Sequence, residues 1–293
     1  MRPTPPRDAG PSSVRVLAGL EARRMLRHPA PWCGLALAVV AAWDASQAEW
    51  SGASYTGLAA SVGPLLLGIS LAAVASSGRG LVPLAEDAPV AETQRSAARL
   101  LGGLALVGLV AVVVAAVATG LRLAGGVDLG DEPGRTLHAH HTLPELLQPV
   151  LLAAVAVCLG ALAVRVLRHR LAASLVLALG WFLVWVYWLW QGPVVRYVAL
   201  LQVQPVSVEV GPLQADPTTF PADWLLTGPG EHQDHWARVV VSPELAAWHD
   251  VYLLGLVAVL AALVVGGRSR RWWVAGGLVL ASLGVAAQVV VAP

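Results

Sequence analysis

The stretch 89–108, PVAETQRSAARLLGGLALVG, sets Glu92, Arg95 and Arg99 three and four residues apart, directly before an uncharged run. In a helix these three share one face, with Ala91, Ala98 and Leu101 turned away from it, and Asp87 is placed to cap a helix start near Pro89. A charged face of this kind suits docking of a soluble partner; the plainer alternative is a helix end whose long side chains snorkel to the headgroups. Two other stretches carry metal-ligand types: HAHH, 138–141, and EHQDHW, 231–236. Two histidines at such spacing ligate zinc or copper, but nothing in the sequence brings the two stretches together, and solvated loop histidines account for them. No metal site is therefore assigned. Cys33 and Cys158 sit in apolar runs and read as small buried hydrophobes. There is no HExxH, and the nearest approach to a nucleophile elbow is GISLA, 68–72, where Ser70 reads as a packing hydroxyl. All 19 basic residues are arginine. Without lysine the chain has neither a P-loop nor a Schiff-base site, so no catalytic residues and no bound cofactor are expected.

The elements that carry these residues follow from composition. Hydrophobic residues make up 57% of the chain and charged ones 13%, and the apolar residues come in blocks long enough to cross a bilayer core of about 30 Å. Spans are predicted at 32–43, 55–77, 100–121, 147–166, 171–190, 251–267 and 272–291. The first is cut short by Asp44, and its basic leader and the downstream ASQAEW resemble a signal peptide, the alternative reading of that segment. The predicted fold is an all-α polytopic membrane helix bundle of six or seven transmembrane helices with an N-terminal amphipathic connecting helix. Its parts are a leader, 1–31; a six-span core, 32–267, with a loop at 78–99 and a long outer loop at 191–250; and an additional C-terminal span, 268–293. Gly102, Gly103, Gly160 and Ser174 suit close helix contacts.

Fifteen arginines fall in the leader and in alternate loops, whereas Arg122, Arg135, Arg196 and Arg238 fall in the others. That asymmetry predicts a cytoplasmic N-terminus and an external C-terminus. The rings of WFLVWVYWLW, 181–190, and Trp272 and Trp273 lie at opposite span ends, where the headgroup zone favours them. No Asp, Glu, Arg or His falls near the middle of a span, which argues against a proton pump, an ion-coupled carrier or a voltage sensor. A net charge of +1 gives no basic surface for nucleic acid. The long loop, broken by prolines in QVQPVSVEVG and DPTTFPADW, reads as loop or short interfacial structure. It ends in PELAAWHDVYLLGL, 243–256, where Glu244 supplies first-turn negative charge.

Three of these stretches together resemble the permease subunits of type 2 ABC transporters, the bacterial exporter class. LEARRMLRHPAPW is similar to the family's amphipathic connecting helix entering the first span, PVAETQRSAARLL to its cytoplasmic coupling loop, and PELAAWHDVYLLGL to its approach to span six. The resemblance covers roughly residues 21–267. It implies a homodimer or heterodimer of permeases in the cell membrane, surrounded by membrane lipid. ATP would be bound and hydrolysed on a separate ATP-binding subunit, and Glu86, Asp87, Glu92, Arg95 and Arg99 would occupy the coupling position. The family pattern has six spans and a cytoplasmic C-terminus, from which the seventh predicted span departs. The alternative function is a non-transporting accessory or sensory membrane protein that uses its histidine-bearing outer loops.

Overall fold

The computed structural model describes residues 11–47, 55–57, 61–78, 91–127, 138–187, 195–227 and 234–293. Among them the chain is mostly helical: α1 (Pro11–Leu26), α2 (Pro29–Ser46), α3 (Gly63–Ser77), α4 (Glu92–Leu123), α5 (Leu143–Leu167), α6 (Arg170–Tyr187), α7 (Pro243–Val265) and α8 (Arg270–Val291). Helix starts follow local chemistry. Prolines occupy the first turn of α2, α3, α5 and α7, where the missing N–H has no intrahelical partner to lose. Thr142 and Glu145 close a capping box on α5, and the Ser242 hydroxyl accepts from the Leu245 amide to cap α7.

α5 is the hub. It packs against α3, α4, α6 and α7, and Leu152, Ala153 and Ala156 on it are fully buried. Small residues set the spacing. A Cβ added at Gly160 would collide with the Ser70 carbonyl of α3, and one at Gly68 with the Ala30 carbonyl of α2. α2 is thus a packed member of the bundle through its contact with α3. α7 and α8 form an antiparallel pair in which Gly255, Gly277 and Gly284 bring the two backbones together, the small-residue packing that membrane helices use in place of a hydrophobic drive. Ser70 is the packing hydroxyl expected of it: buried, it donates to the Ala156 carbonyl at 3.1 Å and accepts from Trp181 Nε1 at 2.9 Å.

Among the described residues four helices, α4, α5, α7 and α8, are long and apolar enough to cross a membrane, with shorter apolar helices at 63–77 and 170–186. The chain is a multi-pass membrane helix bundle. Three expectations need correction. The start of α4 lies at Glu92, with Ala91 as its N-cap, so the helix does not begin near Pro89; Glu86 and Asp87 lie outside the described residues. The long loop, expected to be loop or short interfacial structure, adds to the helical bundle a three-stranded antiparallel sheet, β1 (Val206–Pro212), β2 (Leu226–Thr227) and β3 (His235–Val240), in the order β1-β3-β2. Period-two alternation in VSVEV, lost among the prolines, is its sequence signal. Finally, Cys33 is exposed while Cys158 is buried, because α2 presents Cys33 away from α3.

β1 and β3 pair from Val206 opposite Val240 to Pro212 opposite His235, with an irregularity between Glu209 and Gly211. Trp236 donates from Nε1 to the Ala215 carbonyl at 3.0 Å, and the Arg238 guanidinium lies 4.4 Å from the Trp224 ring centre. The Thr218 hydroxyl and amide hold the Asp216 carboxyl below its usual range as it caps the short helix Pro217–Thr219.

Candidate functional site

Antiparallel packing gathers the arginines of α5, α6, α7 and α8 connections at one end of the bundle. Arg165 donates to the Val264 carbonyl there, and Arg168 ends α5 with a left-handed φ of 52°. The start of α4 belongs to the same end. Glu92 lies 3.1 Å from Arg95 and 3.3 Å from Arg99, and it also accepts from Ser96 at 3.2 Å. The three residues therefore do share a face. They are not, however, fully projecting: the arginine side chains are 19% and 15% exposed, against 56% for Glu92. Ala98 is buried and Leu101 is 47% exposed.

The reason is α1, which packs along the start of α4. Gly102 allows its backbone close to Ala18, Glu21 and Ala22. Glu21 in turn accepts from Ser76 of α3 at 2.7 Å and from Arg24 at 2.8 Å. α1 is thereby tied both to α4 and to α3. What the arrangement presents is a braced helix start with one exposed carboxylate and two largely packed guanidinium groups, a rigid handle.

The opposite end, which carries the sheet, holds a polar assembly that the sequence did not announce. His249 is fully buried in α7. Its Nδ1 lies 3.2 Å from Gln288 Oε1 of α8 and its Nε2 3.2 Å from the Leu200 carbonyl. Gln288 Nε2 donates to the carbonyls of Tyr197 at 3.2 Å and Gly284 at 3.3 Å, so its Oε1 is the acceptor, and Gln202 donates to that oxygen at 2.9 Å. Both ring nitrogens of His249 thus face acceptors. A neutral imidazole donates to one of them and an imidazolium to both. Tyr252 donates to the Val198 carbonyl at 2.7 Å, while Gln204 accepts from the Ser242 amide at 3.2 Å. Asp250 is buried beside them, with an Oδ1 that finds no partner among the described residues.

The loop histidines take structural parts. His138 Nδ1 lies 2.9 Å from the Gly125 carbonyl. His141 contacts the Tyr55 carbonyl through Nε2 at 3.0 Å and stacks on the Tyr55 ring at 4.1 Å. His235 pairs with Asp234 at 3.0 Å, and residues 231–233 lie outside the described residues. Among the described residues no three His, Cys, Asp or Glu side chains converge in a way that holds a metal ion.

Next to this assembly a cavity of about 120 Å³ opens between α2, α3, α4 and the start of α5. Its walls are Leu, Val and Ala side chains, and its end is formed by Tyr55, His141, Glu145, Gln148, Gln202 and Gln204. Glu145 accepts from the Thr142 amide at 2.7 Å, the Thr142 hydroxyl at 2.6 Å and the Tyr55 hydroxyl at 2.8 Å. Sequence reasoning missed these residues because they come from four separate stretches. A signal was present only in part: His249 and Asp250 interrupt the apolar run, which made the span seem to start at 251, eight residues after α7 begins at Pro243.

Set against models of known families, curated proteins and solved structures, the chain matches none of them.

Proposed function

We propose that the chain is the membrane-spanning permease subunit of an ABC transporter, moving a substrate across the cell membrane with ATP hydrolysed on a separate subunit. In this reading α2 to α8 make seven spans, the arginine-rich end faces the cytoplasm, and two permeases pair around the transport path. The observation that supports it is the continuity of α4. Its 32 residues extend about 48 Å at 1.5 Å per residue, well beyond a hydrocarbon core of about 30 Å. One end carries Glu92, Arg95 and Arg99 braced by α1; the other reaches the wall of the sheet-end cavity. A push delivered at the charged turn by a nucleotide-dependent partner would travel along a single unbroken helix. Glu86 and Asp87 precede that turn in the sequence.

Native-level expression with an affinity tag, followed by pull-down and ATPase assay, tests the reading. The purified chain alone should hydrolyse no ATP, and the complex should contain a nucleotide-binding subunit whose hydrolysis is stimulated by the permease. Recovery without any nucleotide-binding protein overturns it.

A further inference from the structure

We propose that the sheet-end cavity binds a single-chain amphiphile, its tail between α2 and α4 and a hydrogen-bond-donating, neutral or cationic head against Glu145, Gln148 and Gln202. This assignment stands apart from whether the chain transports anything.

The shape argues for a tail. Leu35, Ala38, Val39 and Ala42 of α2 face Val113, Val114 and Val117 of α4 across the cavity, and none of these side chains offers a hydrogen bond. A volume of about 120 Å³ is close to that of engineered apolar cavities of about 150 Å³, which stay dry and take up benzene. A hydrocarbon segment fits the apolar part of such a space, where water finds no hydrogen-bond partners. Val39 both lines the cavity and is exposed, as are Val40 and Trp43 on the same helix, so a chain longer than the enclosed volume has an apolar surface to continue along.

The polar end argues for the head. Gln148 is 4% exposed and lines the cavity, and its side-chain amide makes no hydrogen bond with another described residue. Gln202 is 3% exposed; its amide nitrogen is spent on Gln288, and its Oε1 receives no donor among the described residues. A buried acceptor without a donor costs about 1 to 3 kcal/mol, and a small rotation of the Gln202 side chain lets a head-group N–H or O–H satisfy it. Glu145 adds negative charge, and no arginine is among the described residues that line the cavity. An ammonium or hydroxyl head is therefore stabilised, while a carboxylate or phosphate head meets repulsion that no guanidinium among those residues offsets. The same acceptor set leads onward: Gln202 shares Gln288 Oε1 with His249, so a head bound at Gln202 touches the network that joins α7 to α8.

The test uses the full chain in phosphatidylcholine nanodiscs with three photoreactive probes of equal length, dodecylamine, dodecanol and dodecanoic acid, each carrying a diazirine on the chain. After irradiation the labelled peptides are mapped. Amine and alcohol should label the cavity-facing peptides of α2, α4 and α5 about tenfold more than the acid does, the size expected for one charge-assisted hydrogen bond. Labelling of lipid-facing α6 should be the same for all three. Ala42→Phe, which fills the cavity, should abolish the preference for those peptides. Should Ala42→Phe fail to insert, Glu145→Gln in the intact cavity serves instead, and it should bring amine and acid labelling to within about twofold of each other. Native mass spectrometry of the chain as purified separates the sources: a retained mass marks a resident membrane lipid, an empty chain marks an amphiphile taken from outside, and either is compatible with the site. Equal labelling of cavity-facing and lipid-facing peptides by all three probes, or a head-group preference unchanged by Glu145→Gln, overturns the proposal.

Discussion

Reversing both arginines of the α4 start, Arg95→Glu with Arg99→Glu, separates docking from folding, provided its structural cost is counted. Glu92 holds both guanidinium groups, at 3.1 Å and 3.3 Å. Pairs of this kind on a helix contribute about 0.2 to 0.5 kcal/mol each, and like charges in their place cost a similar amount. Two attractions become two repulsions, so the double reversal destabilises the helix start by roughly 1 to 2 kcal/mol, with the upper end favoured because the arginines are mostly covered. That exceeds the cost of two fully exposed charges, the situation the sequence alone suggests. A third change isolates the effect. Adding Glu92→Arg inverts the whole cluster and restores its internal pairing, short of about 0.5 kcal/mol for a cation in the first helical turn. Thermal unfolding in nanodiscs, read by tryptophan fluorescence, should therefore show a clear drop for the double variant and recovery for the triple. Binding of the ATP-binding subunit should not recover, because the surface presented to it now has the opposite sign; loss of a desolvated charge contact there costs about 2 to 5 kcal/mol, or at least tenfold in affinity. Cysteine accessibility confirms that the loop stays on its original side. If the triple variant regains both stability and partner binding, the cluster acts only as a helix brace and the docking argument is refuted.

The remaining predictions concern orientation, packing and the buried histidine. Reporter fusions that fluoresce only in the cytoplasm should be bright at the N-terminus and dark after Pro293, and a bright C-terminal fusion would mean that α8 does not cross. Gly160→Val should push α3 from α5 and break the Ser70 bonds to Ala156 and Trp181, lowering stability by about 3 kcal/mol or more from overpacking and lost buried hydrogen bonds; a variant that melts with the parent refutes the close approach. His249→Leu removes the ring N–H that serves the Leu200 carbonyl or the Gln288 oxygen and should cost about 1 to 3 kcal/mol, with His249→Gln recovering part of the loss; equal melting of Leu, Gln and parent chains would show that the network contributes nothing.

The helices were legible because burial in lipid demands long apolar runs, and α4, α5, α7 and α8 write theirs plainly. Their ends were less so. The apolar run of α7 was placed from 251 because His249 and Asp250 interrupt it, whereas Pro243 and Glu244 marked the earlier helix start that Ser242 caps; the histidine's partners come only from the bundle. The sheet escaped notice because strands of six or seven residues separated by proline-rich turns give a weak period-two signal. The face shared by Glu92, Arg95 and Arg99 follows from helical spacing alone, but its largely covered state depends on α1 (Pro11–Leu26), far upstream by chain and adjacent only in the fold. The cavity end was invisible for the same reason: Tyr55, Glu145, Gln148 and Gln202 are unremarkable until tertiary packing assembles them.

The hydrogen bond from Gln202 to Gln288 has a consequence for how the chain is made. The two residues lie 86 positions apart, which at about 5 to 20 residues per second is roughly 4 to 17 seconds of translation. During that interval Gln202 has left the ribosome and His249 follows it, while the amide that joins them has yet to be synthesised. The loop 195–204 and the entry of α7 must therefore wait at the wet edge of the membrane, with water filling the place of Gln288, until α8 arrives. α8 touches little besides α7, yet its last turns lock that edge. A chain made without α8 should leave His249 open to solvent labelling, and one carrying α8 should close it.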